Sequence, residues 1–440
     1  MKTFPSIVAA FACVVLAATA ADRNVADTYS AATGYGPSPV LPKPDKSLIP
    51  TVDVAEATGW QPGQMPQAAE GLSVTLFAAD LAHPRTVLAL PNGDVLAAET
   101  NAPERQEAGK GLRGKAMEMM LKKSGAAVPS ANRITLLRDA DGDGKAEIKE
   151  AFLENLNSPF GMALVGSTLY VANTDAVLKF PYKEGETKII AAAQKIADLP
   201  AGGRNHHWTK SLVASADGRK LYVGVGSNSN VAENGLAEEV GRAAIHEIDV
   251  ASGRIRLFAT GLRNPAALVV QPGTGALWAG VNERDELGDN LVPDYMTAVK
   301  DGAFYGWPWS YFGKNLDPRF EPARPDLVTR AIAPDYALGA HTAVLGLAFA
   351  QGAAPIGKFT EGVFVGQHGS WNRRPPAGYR VLFVPFAGGK PNGMPVPVLT
   401  GFIEKDKAFG RPVGLALDGK KGALYVADDV GNVIWRVTAK

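Results

Sequence analysis

Basic side chains recur at equivalent positions of a pattern that repeats six times along the chain. Three of the six histidines and three arginines occupy them: His207, His341, His368, Arg85, Arg263 and Arg411. Arginine pairs with carboxylates through parallel hydrogen bonds, and histidine accepts a proton near neutral pH. The set therefore suits a ligand with several carboxylates and a reaction that needs a base. A site built only for Ca²⁺ would use oxygen ligands and no arginine cluster.

Polar and acidic side chains, and one further arginine, fill the positions around these basic residues. They are Glu99, Asn101, Ser227, Asn228, Asn264, Asn282, Glu283, Asp289, Gln367, Asn372, Arg373 and Asp428. For any single member, a solvated loop side chain is the alternative. His207 and Arg263 are stronger candidates, because each directly precedes a strongly apolar segment.

A second set of oxygen ligands occurs in the segment DADGDGKAEIKE. Asp139, Asp141, Asp143 and Glu150 follow the spacing of a calcium-binding EF-hand loop. The preceding segment RITLL (133–137) predicts a strand, however, where an EF-hand requires a helix. We therefore expect a second Ca²⁺ in a turn between strands, with a plain Asp-Gly turn stabilised by its own side chains as the alternative.

The elements that must position these residues are predicted to be short strands. Six copies of strand, polar turn and strand occur at 84–99, 159–173, 211–226, 265–281, 346–366 and 412–428. Such repetition indicates an all-β fold, a six-bladed β-propeller, with a pair of β-sandwiches as the alternative. In a propeller, residues before each first strand and after each second strand meet at one face. The final strand (432–437) and the first (72–78) are expected to share a blade.

The regions outside the repeats are predicted to be a signal peptide, an extended arm and loop insertions. Residues 1–20 have the charge, apolar run and Ala-Thr-Ala ending of a cleaved signal peptide. Residues 21–70 predict an extended N-terminal arm, and 71–440 the propeller. Loop insertions are expected at 102–130, with a helix at 115–123, and at 283–340, where the aromatic residues favour packing. The protein is therefore expected to be periplasmic or secreted and not membrane-spanning.

Composition and missing motifs exclude several functions. The 45 basic and 44 acidic residues leave a net charge of +1, which disfavours a surface built to bind nucleic acid. The only cysteine, Cys13, lies in the predicted signal peptide. A mature chain without cysteine has no thiolate nucleophile, disulfide or CxxCH haem site. No GxSxG, P-loop or HExxH motif is present.

Several segments resemble the sugar dehydrogenases that depend on pyrroloquinoline quinone (PQQ), especially the L-sorbosone dehydrogenase branch. They are GLRNPAALVV (261–270), VNERDELGDNLVPDY (281–295), GAFYGWPWSY (302–311), GQHGSWNRRPPAGY (366–379) and RPV (411–413). The resemblance covers about residues 70–440. It implies an enzyme that oxidises an aldose or sugar aldehyde with PQQ and Ca²⁺, and passes electrons to an external cytochrome or quinone.

The resemblance also implies a role for individual residues. His207 would take the proton from the substrate hydroxyl as hydride passes to PQQ. Arg263 would stabilise the charge that develops on the reactive quinone oxygens, which it would contact together with Asn264. Asp289, Arg411 and, by position, Arg373 would contact the cofactor. The backbone carbonyls of Glu283 and Arg284 would bind Ca²⁺.

The chain departs from the soluble glucose branch at two points. Ser227 stands where that branch has an acidic residue supporting its histidine, and the lysine beneath the quinone has no plain counterpart. His206 is the alternative base. Two other functions fit a propeller: a calcium-dependent lactonase or esterase, against which the arginine cluster counts, and a non-catalytic partner-binding module.

Overall fold

The computed structural model describes residues 29–45, 51–103, 118–320, 324–350 and 356–440. The predicted signal peptide lies outside these ranges. Helices in the described parts are short: Ala31–Thr33, Leu236–Glu239 and Pro325–Val328, with residues 118–123 also helical. The predicted helix at 115–123 is thus present from residue 118, and residues 115–117 are outside the described ranges. None of the described helices is long and apolar enough to cross a membrane. The expected all-β fold is confirmed.

The first three repeats each form one antiparallel four-stranded sheet. Sheet 1 contains Pro84–Ala89, Val95–Glu99, Arg133–Arg138 and Ile148–Leu153. Sheet 2 contains Gly161–Val165, Thr168–Ala172, Ala176–Pro181 and Gln194–Asp198. Sheet 3 contains Lys210–Ala214, Lys220–Val225, Ala244–Asp249 and Ile255–Thr260. In each sheet the predicted hairpin supplies the first two strands.

The last three repeats form sheets that also recruit strands from the N-terminal region. Sheet 4 contains Asn264–Val270, Leu277–Asn282, Pro293–Ala298, Tyr336–Ala340 and Tyr35–Gly36. Sheet 5 contains Val344–Ala350, Gly362–Gln367, Arg380–Ala387, Val396–Thr400 and Gln67–Ala68, with Lys390–Pro391 beside its third strand. Sheet 6 contains Pro412–Asp418, Ala423–Asp428, Val433–Ala439 and Leu72–Ala78. The predicted pairing of the last strand with the first is confirmed.

The first strand of each sheet contacts the first strand of the next sheet along the chain. The first strand of sheet 6 also contacts the first strand of sheet 1. Glycine permits the closest approaches. A Cβ at Gly161 would lie 2.3 Å from the Leu212 backbone nitrogen, and one at Gly346 would lie 2.2 Å from the Val413 carbonyl oxygen. A cavity of about 310 Å³ is lined by largely aliphatic residues of all six first strands.

In its described parts, the N-terminal region pairs with strands of sheets 4 and 5 and contacts sheet 6. Its short strand Glu56–Ala57 pairs with Lys407–Ala408, which in turn pairs with Ile403–Glu404. The indole of Trp60 donates to Asp428 at 2.7 Å, which ties the arm to sheet 6.

The aromatic insertion packs against sheet 4. It includes the small hairpin Ser310–Tyr311 with Asn315–Leu316. Tyr305, Trp307 and Tyr311 are each at most 4% exposed, which confirms that these aromatic residues pack in the interior.

Candidate active site

His207 lies in the loop that leads into the first strand of sheet 3. Its Nδ1 is 2.7 Å from the carbonyl oxygen of Ser227, just past the second strand, and 3.1 Å from the hydroxyl of Ser227. A proton on Nδ1 can be donated to that carbonyl, which leaves Nε2 with a lone pair in the neutral ring. Ser227 thus occupies the supporting position that its place in the sequence suggested.

The electrostatic surroundings keep His207 neutral. Burial lowers the pKa of His207 well below its ordinary value, and the neighbouring His206 and Arg263 lower it further. The Ser227 carbonyl and Asp285 act in the opposite direction without overcoming these effects. His206 itself is exposed, with its ring 4.7 Å from that of His207 in an edge-on arrangement. A neutral imidazole at this point can accept a proton.

Arg263 is buried, and its guanidinium organises the neighbouring loops. It donates to the carbonyl of Glu283 at 2.6 Å and to the side-chain oxygen of Asn230 at 3.0 Å, and it pairs with Asp285 at 3.2 Å. We call His207, Ser227, Arg263, Asp285 and His341 the His207 cluster.

Asp285 is the central acid of this cluster. It accepts a hydrogen bond from Asn372 at 2.8 Å and lies 3.4 Å from Nδ1 of His341. Burial alone would raise the pKa of Asp285, but the charge of Arg263 and the contact with His341 hold it well below its usual range. Burial alone would lower the pKa of His341, whereas Asp285 raises it. His341 is therefore suited to holding a proton and His207 to accepting one.

A second group of titratable residues lies where sheets 5, 6 and 1 meet. Asp429 accepts hydrogen bonds from Arg85 at 2.6 Å and from Nε2 of His368 at 2.8 Å, and its backbone carbonyl lies 3.2 Å from Nδ1 of His83. We call these four residues the Asp429 cluster. Burial lowers the pKa of His368 to about 4 despite the nearby carboxylate. The histidines and Arg85 keep the pKa of Asp429 well below its usual range although burial opposes this.

Arg411 lies near the Asp429 cluster and is 4% exposed. Its guanidinium stacks 4.9 Å from the ring centre of Tyr379 and donates to the Tyr379 hydroxyl at 3.0 Å. Its backbone amide donates to Asp428, which also accepts from the indoles of Trp60 and Trp435. Asp428 therefore has a structural role, and its neighbour Asp429 faces the basic residues.

Several predicted cofactor contacts carry buried polar atoms without a partner in the described structure. They are Oδ1 of Asn264, Oδ1 of Asp289, Nε of Arg373 and Nε of Arg411. Buried polar groups normally find partners, so unpaired donors and acceptors on neighbouring loops point to a missing polar ligand. An anionic quinone with carboxylates and carbonyl oxygens would supply acceptors for the arginines. The unpaired donors of Arg373 and Arg411 therefore fit such a group.

The predicted Ca²⁺ ligands lie beside Arg263. The Glu283 carbonyl accepts a hydrogen bond from Arg263, and its amide donates to Asp294 at 2.8 Å. The Arg284 side chain is fully buried and binds Glu283, Asp317 and two backbone carbonyls. A cation at Glu283 would share the carbonyl with a guanidinium. The Ca²⁺ assignment to this segment stays a prediction.

The acidic loop at 139–150 is separate from both clusters. Asp139 lies 3.7 Å from Lys421, in the turn between the first two strands of sheet 6, at the opposite end from the histidines. Ligand atoms of Asp139, Asp141, Asp143 and Glu147 lie within 4.8 Å of one another. Glu150 is not one of these four residues, because a strand begins at Ile148 and places Glu150 opposite Leu136 in the sheet. Its assignment as a Ca²⁺ ligand stays a prediction. Backbone amides also bond to the aspartates, as expected for Asx turns.

Sequence reasoning missed several residues of these clusters. Asp285, Asp429 and His83 were absent from the candidates, although each is within two residues of a predicted position. A one-residue shift changes which way a side chain points at the end of a strand. Glu99, by contrast, was a candidate and is fully buried, with its carboxylate bound to Arg133 and Thr135.

Comparison with known proteins assigns the family. The model of the family described as TrAA12-like matches residues 118–299 and 327–440, so the chain belongs to that family. A relative from Borreliella burgdorferi, described as an uncharacterized protein, is 28% identical over 295 residues, which is 64% of this chain and 76% of the relative.

Solved structures share the fold. The PQQ domain of pyranose dehydrogenase from Coprinopsis cinerea, in its holo form, is 20% identical, with a TM-score of 0.67 over 88% of this chain and 100% of that one. A calcium structure of the Family AA12 enzyme from Trichoderma reesei is 18% identical, with a TM-score of 0.68 over 90% and 100%. A PQQ-bound aldose sugar dehydrogenase from Streptomyces coelicolor is 17% identical, with a TM-score of 0.54 over 85% and 99%.

Proposed function

We propose that this protein is a quinoprotein dehydrogenase that oxidises an aldose or a sugar aldehyde with PQQ and Ca²⁺. Its family and fold support an oxidoreductase acting on sugars. The observation that carries the proposal is a neutral His207. Its Nδ1 is bonded to Ser227, and the charge of the buried Arg263 helps to lower its pKa. This arrangement combines a proton acceptor with a fixed positive charge, which is what removal of hydride from a hydroxylated carbon requires.

The six sheets are proposed to be the blades of a closed six-bladed propeller. The contacts between successive first strands, and between the last and the first, support this arrangement. Closure would bring the loops before each first strand to one face, where both clusters lie. The N-terminal arm would be an addition to this body, and a signal peptide at residues 1–20 would export the chain to the periplasm or medium.

Each site residue then has a definite task. His207 would accept the hydroxyl proton of the substrate on Nε2, while its Nδ1–H stays bonded to Ser227. Arg263 and Asn264 would bind oxygens of the cofactor, and Arg411, Arg373 and Asp289 would contact its periphery. The bound quinone would supply a two-electron acceptor for the hydride, and Ca²⁺, held by carbonyls of Glu283 and Arg284, would polarise it. The electrons would leave to an external cytochrome or quinone.

The substrate is proposed to resemble L-sorbosone. The segments LRNP (262–265) and YGWPW (305–309) support this, because they contribute to the resemblance to that branch.

Dye-linked oxidation of a panel of aldoses and sugar aldehydes tests the proposal. Purified protein would be assayed with PQQ and Ca²⁺, with Ca²⁺ alone, and as the His207→Ala and His206→Ala variants. We expect turnover that requires PQQ and falls about 10²- to 10⁴-fold in His207→Ala, with a much smaller effect in His206→Ala.

Two results would contradict the proposal. Failure to bind PQQ, together with hydrolysis of a lactone in the presence of Ca²⁺ alone, would favour the lactonase instead. Loss of turnover in His206→Ala with retention in His207→Ala would reassign the base.

A further inference from the structure

Lys210 is a buried cation that the proposed chemistry does not use. It begins the first strand of sheet 3, three residues after His207, and its side chain has no exposed surface. Within the described ranges it forms no ion pair with a carboxylate. Its ammonium donates to the carbonyl oxygen of Trp208 at 3.1 Å. Burying an ammonium without a paired carboxylate is costly in free energy. The hydrogen bond from Lys210 to the Trp208 carbonyl therefore needs an explanation.

The Trp208 carbonyl oxygen accepts hydrogen bonds from two side chains. The hydroxyl of Thr174 also donates to it, at 2.9 Å, and in turn accepts a hydrogen bond from the side chain of Asn205 at 2.7 Å. Asn205 and Trp208 lie on either side of the two histidines. The loop that carries His207 is therefore held at both ends by buried hydrogen bonds to residues of sheets 2 and 3.

Arg242 extends this network to the other partner of His207. It is 7% exposed and donates to the side-chain oxygen of Asn205 at 3.1 Å, to the Gly226 carbonyl at 3.4 Å and to the Ala201 carbonyl. Gly226 directly precedes Ser227, whose carbonyl accepts the Nδ1 proton of His207. The two chain segments that meet in the His207–Ser227 hydrogen bond are thus joined through one guanidinium.

The charges around Lys210 are few. Burial and, to a lesser extent, the charge of Arg242 lower the pKa of Lys210 to about 7, and Asp175, which is exposed, opposes both. His246 also faces this region, because Lys210 contributes to lowering the pKa of His246. The ammonium or amine donates a hydrogen bond in either protonation state.

We infer that Lys210 and Arg242 are positioning residues that fix the ring of His207 against Ser227. Lys210 acts through the Trp208 carbonyl on one side of His207, and Arg242 acts through Asn205 and Gly226 on both partners. Neither side chain is required to contact substrate or cofactor. This inference rests on the proposed function for its catalytic consequence, but its structural content concerns the protein alone.

The test replaces the ammonium with a methyl group of similar reach. Lys210→Met removes the donor, and Lys210→Arg keeps one. The matched control is Lys220→Met on the next strand of the same sheet, where the lysine instead pairs with Asp249 at 2.9 Å. If Lys210→Met does not fold, Thr174→Val removes the other donor to the same carbonyl while preserving side-chain shape.

The first measurement is nitrogen NMR of the histidine rings in the protein without cofactor, with His207 assigned by its loss in His207→Gln. We expect the Nδ1–H form to dominate in the wild type, in Lys210→Arg and in Lys220→Met. In Lys210→Met, or in Thr174→Val, the signals should show a mixture of the two neutral forms. A wild-type signature in both Lys210→Met and Thr174→Val would overturn the inference.

Kinetics of the loaded enzyme supply the second measurement. We expect kcat to fall about 10- to 100-fold in Lys210→Met with KM within about twofold, because a displaced base costs rate more than binding. Rescue by Lys210→Arg separates positioning from general loss of stability. If the protein neither binds PQQ nor oxidises sugars, the proposed function fails, whereas the NMR result still decides the positioning role.

Discussion

The His207 cluster and the Asp429 cluster each contain one aspartate, one arginine and two histidines, and they differ in how these are paired. In the Asp429 cluster the carboxylate lies between Arg85 and His368, so acid and bases satisfy one another. In the His207 cluster the carboxylate of Asp285 pairs with Arg263 and His341, while His207 is bonded to a neutral carbonyl. Both histidines of the Asp429 cluster have Nε2 near its carboxylate, at 2.8 Å for His368 and 3.7 Å for His83, whereas His207 has no such contact with an acid in the described structure.

The difference shows that burial and the partner together decide what a histidine can do. All three histidines are placed in loops at the same end of the sheets. The pKa of His341 is raised by Asp285, that of His368 is lowered to about 4, and that of His207 is lowered well below its ordinary value. His341 is suited to holding a proton, His368 to a hydrogen-bond network, and His207 to accepting a proton from a substrate.

Removing the central acid of the Asp429 cluster is expected to have the largest effect. Asp429→Asn leaves Arg85 and two histidines without their carboxylate, and breaking such a buried pair costs about 3–5 kcal/mol in the free energy of unfolding. Urea denaturation would measure this. Asp217→Asn, in an exposed pair with Arg219, is the control and should leave the midpoint unchanged. A loss below about 1 kcal/mol for Asp429→Asn would contradict a structural role for this cluster.

The stability of the protein should depend on pH with opposite signs at His368 and His341. The unfolded chain protonates His368 below about pH 6.5 and the folded chain only near pH 4. Stability is therefore lost as pH falls across this window, by about 3 kcal/mol for this one group. His341 has a raised pKa, so its contribution is complete below pH 6.5 and is lost as pH rises through the folded value.

Unfolding curves of two variants separate these contributions. His368→Gln should flatten the decline on the acid side, and His341→Gln should flatten the decline on the alkaline side. His206→Gln, at an exposed position, is the control. Equal slopes in all variants would show that the two clusters do not differ in the way described.

A single methyl group should disturb the His207 cluster without removing a polar atom. A Cβ at Gly226 would lie 2.4 Å from Oδ1 of Asn264 and 2.6 Å from Cβ of His207. We expect Gly226→Ala to reduce turnover about 10- to 100-fold by displacing both side chains. Gly419→Ala, where a Cβ meets nothing within 4 Å, is the control. Unchanged turnover in Gly226→Ala would show that His207 does not need this position.

The smallest expected effect belongs to the acidic loop at the far end of the sheets. If Asp139, Asp141, Asp143 and Glu147 bind Ca²⁺, the exposed site should have a Kd of about 10⁻⁴ to 10⁻³ M. Millimolar Ca²⁺ would then raise Tm by about 1–2 °C in protein without PQQ. Asp141→Asn should abolish the shift and Asp198→Asn should not. The same shift in both variants would place the binding elsewhere.

Much of the fold was predictable because each hairpin is specified locally. Apolar alternation and Asn-Gly or Asp-Gly turns identify the paired strands from a few neighbouring residues. The pairing of Leu72–Ala78 with Val433–Ala439 was also predictable, since one unpaired strand remained at each end of the repeats. The N-terminal contacts of Trp60 and Tyr35 were not, because they join residues hundreds of positions apart without a local pattern.

The candidate site, like the fold, has features that the sequence determined and features that it did not. The sequence by itself determined that histidines and arginines would follow and precede the strands of six repeats, since strand ends are encoded by local composition. Only the tertiary structure decided that Asp429 rather than Asp428 meets the basic residues, that Glu147 rather than Glu150 joins the acidic loop, and that Lys210 is buried behind His207. These choices depend on side-chain direction and on which sheet lies alongside, and both are fixed by packing between distant segments.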